Sequence, residues 1–103
     1  MKDDALISVL IPAYNHENYM QDTIDSVIRQ TYNNIELIII DDGSSDNTLA
    51  KIKEYESKCQ KRFKRFLYST QKNQGTVKTL NSLLDLAKGE YIAIIASDDL
   101  YYD

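Results

Sequence analysis

The sequence predicts an α/β fold built on a mostly parallel four-stranded sheet, and three features point to it. Apolar runs alternate with stretches of helical periodicity in the order β-α-β-α-β-α-β, and crossovers of helical length make successive strands parallel. The apolar runs are nearly continuous, as expected of strands covered on both faces. Two of them end in paired acids: Leu37-Ile-Ile-Ile-Asp41-Asp42-Gly43 and Tyr91-Ile-Ala-Ile-Ile-Ala-Ser97-Asp98-Asp99. A core strand gains nothing by carrying two carboxylates to its C-terminal end unless the ends have a task.

The first strand is expected over residues 6–11, closed by Pro12. Met20, Ile24, Val27 and Ile28 then fall at helical spacing within 19–30, a helix that stops before Tyr32-Asn33-Asn34. Residues 35–40 form the second strand. The polar run from Asp41 to Asn47 is a turn leading into a helix, with Ser45 or Asp46 as N-cap. That helix turns Leu49, Ile52 and Tyr55 inward and is expected to fray near Cys59. A shorter third strand covers 65–69, and Gln71-Lys-Asn-Gln-Gly75 is a loop. The last helix presents Val77, Leu80, Leu83, Leu84 and Ala87 on one face and has Gly89 for its C-cap. The fourth strand covers 90–96.

Right-handed crossovers let the first three strands run outward and return the fourth to the other side of strand 1. The expected order is 3-2-1-4, a Rossmann-like arrangement with helices on both faces and a switch point between strands 1 and 4. Ligands of open α/β sheets bind outside the C-terminal strand ends at such a point. Asp41-Asp42, Pro12-Ala13-Tyr14-Asn15 and Asp98-Asp99 therefore share one rim. Two strand spacings separate the acid pairs, about 10 Å, which suits a nucleoside diphosphate.

The two pairs suit different tasks. A hard cation such as Mg²⁺ takes one or two protein carboxylates and leaves its other positions to water and phosphate oxygens, which Ser97-Asp98-Asp99 could supply. The first pair could accept hydrogen bonds from a base N–H or a ribose hydroxyl. Each pair also has a purely structural reading: Asp41-Asp42-Gly43 as a turn with a helix cap, Asp98-Asp99 as an acidic loop. Tyr14 could cover a core edge or stack on a base, and His16 reads as a solvated loop residue. Lys58, Lys61, Arg62, Lys64 and Arg65 read as a solvated helix end, with anionic lipid as the other reading.

At 103 residues the chain suits one domain. Its net charge of -4 argues against a general nucleic-acid binder. Cys59 is the single cysteine, so an intrachain disulfide is excluded. No apolar run approaches the roughly 18 residues that would suggest a transmembrane segment. Acids near the start oppose a signal peptide, so a cytoplasmic protein is expected. Neither glycine-rich dinucleotide nor P-loop spacing occurs.

Taken in order, the blocks Ser8-Val-Leu-Ile-Pro-Ala-Tyr-Asn15, Ile24-Asp-Ser-Val-Ile-Arg-Gln-Thr31, Glu36-Leu-Ile-Ile-Ile-Asp-Asp-Gly-Ser-Ser-Asp-Asn-Thr48, Asn73-Gln-Gly75, Lys88-Gly-Glu-Tyr-Ile92 and Ser97-Asp98-Asp99 resemble the family 2 glycosyltransferases of GT-A fold. The resemblance covers nearly the whole chain. It implies transfer of a sugar from a nucleotide-sugar donor, with UDP the expected nucleotide, to a glycan or lipid-linked acceptor. It also implies that Pro12, Ala13, Tyr14 and Asn15 line the nucleotide pocket, that Asp42 binds the base with Asp41 nearby, and that Asp98 contacts the ribose or phosphate. Asp99 would coordinate Mg²⁺ or Mn²⁺ at the Asp-x-Asp-type position. The catalytic base of inverting relatives lies in the second half of the domain. Residues 1–103 are thus expected to be the nucleotide-sugar-binding half, without turnover alone. Two other readings are a non-catalytic nucleotide-binding module and a receiver-type signalling domain, the latter opposed by a first strand ending in Pro-Ala-Tyr-Asn rather than in acids.

Overall fold

The structure, a computed structural model, describes residues 4–95. Strands β1 (Ile7–Ala13), β2 (Ile35–Asp41), β3 (Arg65–Thr70) and β4 (Tyr91–Ile94) form one sheet in the order β3-β2-β1-β4. All neighbouring pairs are parallel, so the expected topology and its switch point are present. Helices α1 (Met20–Ile28), α2 (Thr48–Glu54), α3 (Glu56–Arg62) and α4 (Thr76–Leu86) make the crossovers.

Alternate residues of a strand face opposite sides of a sheet, and both sides here are apolar. Val9, Ile11, Ala13, Leu37 and Ile39 pack with Met20, Ile24 and Val27 of α1, Ile52 of α2 and Cys59 of α3. Leu10, Ile38 and Ile40 pack with Leu83 of α4 on the other face. This accounts for the unbroken Leu37-Ile-Ile-Ile run: every residue of β2 is buried. Each such side chain contributes about 1.5–3 kcal/mol by leaving water.

Several expectations are corrected. The second helical segment is two helices meeting at Tyr55, and Cys59 is buried mid-way along α3 rather than at a frayed end. Val77 is 74% exposed and Leu84 is also exposed, leaving Leu83 and Thr79 as the buried residues of α4. The reason is that α4 lies over β1 and β2 only, so its inward stripe is narrow. Gly89 does not cap α4, whose C-cap is Ala87. It is small because a Cβ there would lie 2.5 Å from Ser8 Oγ and 2.7 Å from Leu6 O.

The basic segment is only partly solvated. Arg62 donates to the carbonyls of Ile28 (2.9 Å), Gln30 (2.7 Å) and Tyr32 (2.9 Å), satisfying the chain as it leaves α1. Arg65 pairs with Glu36 at 2.9 Å.

Candidate functional site

The rim at the C-terminal strand ends is made by three loops that hold one another. After β1 the chain turns at Asn15, which has φ 52, a left-handed conformation asparagine tolerates. Its amide donates to Ser44 Oγ at 2.9 Å, and its Oδ1 accepts from Ser45 N at 2.8 Å. The His16 amide donates to Thr48 Oγ1 at 2.8 Å and that of Glu17 to Asp46 Oδ2 at 3.2 Å. His16 is 6% exposed, so it is not the solvated loop residue the sequence suggested; the β2–α2 loop folds over it. Asp46 is the effective helix cap, accepting from Thr48 N at 2.9 Å while Asn47 makes no side-chain cap bond. Burial pushes the Asp46 carboxyl up, but bonds from the Thr48 hydroxyl and amide and the Glu17 amide prevail and lower its pKa.

Asp41 and Asp42 are both buried, and their carboxylates take different partners. Asp41 accepts from Thr70 Oγ1 at 2.8 Å and Ser44 N at 3.3 Å, tying β2 to β3 and to the next loop. The Asp42 amide donates to Ala13 O at 2.8 Å. Its Oδ1 accepts from Gln71 Nε2 at 3.0 Å and Gln74 N at 2.8 Å, and its Oδ2 from Gly75 N at 3.0 Å. Asn73 Nδ2 donates to the Asp42 carbonyl at 3.0 Å. Burial raises the Asp42 carboxyl, yet the bonds from Gln71 and the Gln74 and Gly75 amides outweigh it and hold the pKa below the ordinary carboxylate value. The structural reading of this pair was therefore correct as far as it went, because Asp42 organises the loop over 71–75.

Gly43 makes that loop possible. Its φ is +72, and a Cβ there would meet Asn73 N at 2.6 Å. Asp-Asp-Gly is thus an acid pair followed by a residue without a side chain, where the neighbouring loop must lie against the backbone.

Pro12, Ala13, Tyr14 and Asp42 line one cleft, closed on its other side by Thr76 and Thr79 of α4. The cleft opens at the C-terminal edge of β1, beside the switch point. Asn15 and Asp41 stand on the same rim, but their polar atoms are engaged in joining loops. Asp98 and Asp99 lie outside the described residues, as does the spacing expected between the two acid pairs. Among the described residues no cluster of three or more His, Cys, Asp or Glu could hold a metal ion. Sequence reasoning assigned no role to Gln71 or Thr79; a buried threonine on an otherwise apolar helix face was the available signal.

Residues 8–103 match the model of the family described as Glycosyl transferase family 2. The chain belongs to that family. It is 39% identical over 99 residues to the Escherichia coli UDP-Glc:alpha-D-GlcNAc-diphosphoundecaprenol beta-1,3-glucosyltransferase WfgD, covering 96% of this chain and 37% of WfgD. A glycosyltransferase of Haemophilus influenzae is 42% identical over 100 residues, covering 97% of this chain and 30% of that protein. The chain thus spans well under half the length of these relatives. Among solved structures, S. aureus TarS in complex with UDP-GlcNAc superposes with a TM-score of 0.77 at 30% identity, covering 90% of this chain and 26% of TarS. The mannosyltransferase of Pyrobaculum calidifontis in complex with GDP-Man and Mn²⁺ superposes at 0.82 with 23% identity, over 91% of this chain and 28% of that one, and shares the fold. The architecture is that of the GT-A glycosyltransferases. No helix among the described residues is long and apolar enough to cross a membrane.

Proposed function

We propose that this chain is the nucleotide-sugar-binding portion of a metal-dependent glycosyltransferase that passes a sugar from a UDP-sugar to a hydroxyl of a glycan or lipid-linked acceptor. One observation carries the reading: Pro12, Ala13 and Tyr14 meet Asp42 in a single cleft beside the switch point. A carboxylate there, held ionised by its hydrogen bonds, accepts an N–H from a base inserted beside Tyr14. Binding of UDP-GlcNAc by TarS supports a uridine nucleotide, and the Mn²⁺ of the Pyrobaculum enzyme supports a divalent cation.

Asp41 and Asn15 brace the pocket wall, and Asp98 faces the ribose or phosphate. Asp99 is the residue that would hold Mg²⁺ or Mn²⁺. When bound, the cation supplies Lewis-acid stabilisation of the departing diphosphate. The acceptor hydroxyl needs a general base, expected from sequence beyond Asp103, so the 103-residue chain binds nucleotide without transferring sugar.

Titration with UDP and Mn²⁺ tests this reading. Asp42→Asn is expected to weaken UDP with or without metal, while Asp99→Ala removes only the metal-dependent gain. UDP affinity indifferent to both changes would refute it. Sugar transfer by the 103-residue chain would refute the placement of the base.

A further inference from the structure

The carboxylate of Asp42 is not an open acceptor. An ionised carboxylate offers about four lone-pair sites, two on each oxygen. Both sites of Oδ1 are filled, by Gln71 Nε2 at 3.0 Å and Gln74 N at 2.8 Å. One site of Oδ2 is filled by Gly75 N at 3.0 Å, and Asn73 Nδ2 stands at 3.5 Å, better placed toward the Asp42 carbonyl at 3.0 Å. Oδ2 thus keeps one strong acceptor site.

Gln71 is itself held. Its Nε2 donates one hydrogen to Asp42 and the other to Thr79 Oγ1 at 3.0 Å. Thr79 is fully buried and passes its hydroxyl proton to Gly75 O at 2.9 Å. The amide cannot be reversed, because its carbonyl would then face a carboxylate.

We infer that Gln71, fixed by Thr79, is a specificity-determining residue that restricts Asp42 to a base presenting a single N–H. The inference rests on the proposed role of Asp42 as the base contact. Uracil presents one N–H between two carbonyls and matches a one-site acceptor. The donors already on Oδ1 also blunt its repulsion against the neighbouring uracil carbonyl. Guanine presents two adjacent donors, N1–H and the N2 amino group, and gains its advantage from a carboxylate with both oxygens free. Here the second oxygen is spent on the loop, so guanine forfeits that bond and the site selects uracil.

The test compares UDP with GDP at a fixed Mn²⁺ concentration, where the shared diphosphate cancels in the ratio of dissociation constants. UDP is expected to bind about tenfold tighter or more, the factor one net hydrogen bond carries. Gln71→Met keeps length and frees one site of Oδ1. It is expected to strengthen GDP and shrink the ratio, a gain that misfolding cannot imitate. Thr79→Val, nearly isosteric, should shift the ratio the same way, whereas Thr79→Ser keeps the hydroxyl and should leave it as in the parent. A parent ratio near one, or a ratio unmoved by both Gln71→Met and Thr79→Val, overturns the inference while leaving Asp42 as the base contact. Indifference of UDP affinity to Asp42→Asn overturns that underlying reading, and the inference with it.

Discussion

Two buried carboxylates stand at opposite ends of the strand β2, and they behave differently. Glu36, near its start, is 0% exposed; Asp42, just past its end, is 4% exposed. Glu36 accepts from Ser8 Oγ at 2.5 Å, the Lys88 amide at 2.6 Å and the Arg65 guanidinium at 2.9 Å. Ser8 Oγ in turn accepts from the Gly89 amide at 2.8 Å. That cluster ties β1, β2, β3 and the turn before β4 together, and a cation answers the charge. The donors that described residues bring to Asp42 are all neutral, and the residue borders a cleft. Burial of an acid therefore does not mark a site. A buried acid whose charge is met by dipoles at the mouth of a cleft keeps its negative potential for a ligand; one matched by arginine does not.

Breaking the structural member should cost most. Glu36→Ala leaves Ser8, the Lys88 amide and part of Arg65 without an acceptor, and about 3 kcal/mol of stability is expected to disappear in urea unfolding. A loss under about 1 kcal/mol would show that water replaces the carboxylate. Gly89→Ala drives a Cβ against backbone and is expected to cost about 2 kcal/mol without altering the relative affinities of nucleotides. Gly43→Ala carries a similar clash plus a positive φ, and here nucleotide affinity should fall together with stability. Equal effects of the two glycine changes on binding would erase the distinction between the ends of β2.

Acid sharpens the same contrast. The pKa values of Asp42 and Asp46 are lower folded than unfolded, so their stabilisation is complete above the unfolded value near pH 4 and fades as pH falls through the folded values. Asp42→Asn should flatten the decline of urea midpoints between about pH 5 and pH 2, and an unchanged slope would assign the acid sensitivity elsewhere. The smallest expected effect concerns Cys59, whose thiol burial pushes up to about 11. Iodoacetamide at pH 8 should modify it about 100-fold more slowly than a cysteine in an unfolded peptide.

The sequence by itself determined the sheet. Continuous apolar runs can only be strands covered on both faces, helical crossovers force parallel pairing, and right-handedness leaves the order β3-β2-β1-β4. It also brought Pro12, Ala13, Tyr14 and Asp42 to one rim, because each follows directly from a strand end. Only the tertiary structure decided what those residues touch. Gln71 and Thr79 stand far from Asp42 along the chain, and no periodicity reveals that one amide bridges a carboxylate and a hydroxyl. The same holds for His16 beneath its loop and for Gly89 against Ser8. Strand order follows from local pattern and handedness, whereas hydrogen-bond partners depend on distances between loops that only the packed sheet sets.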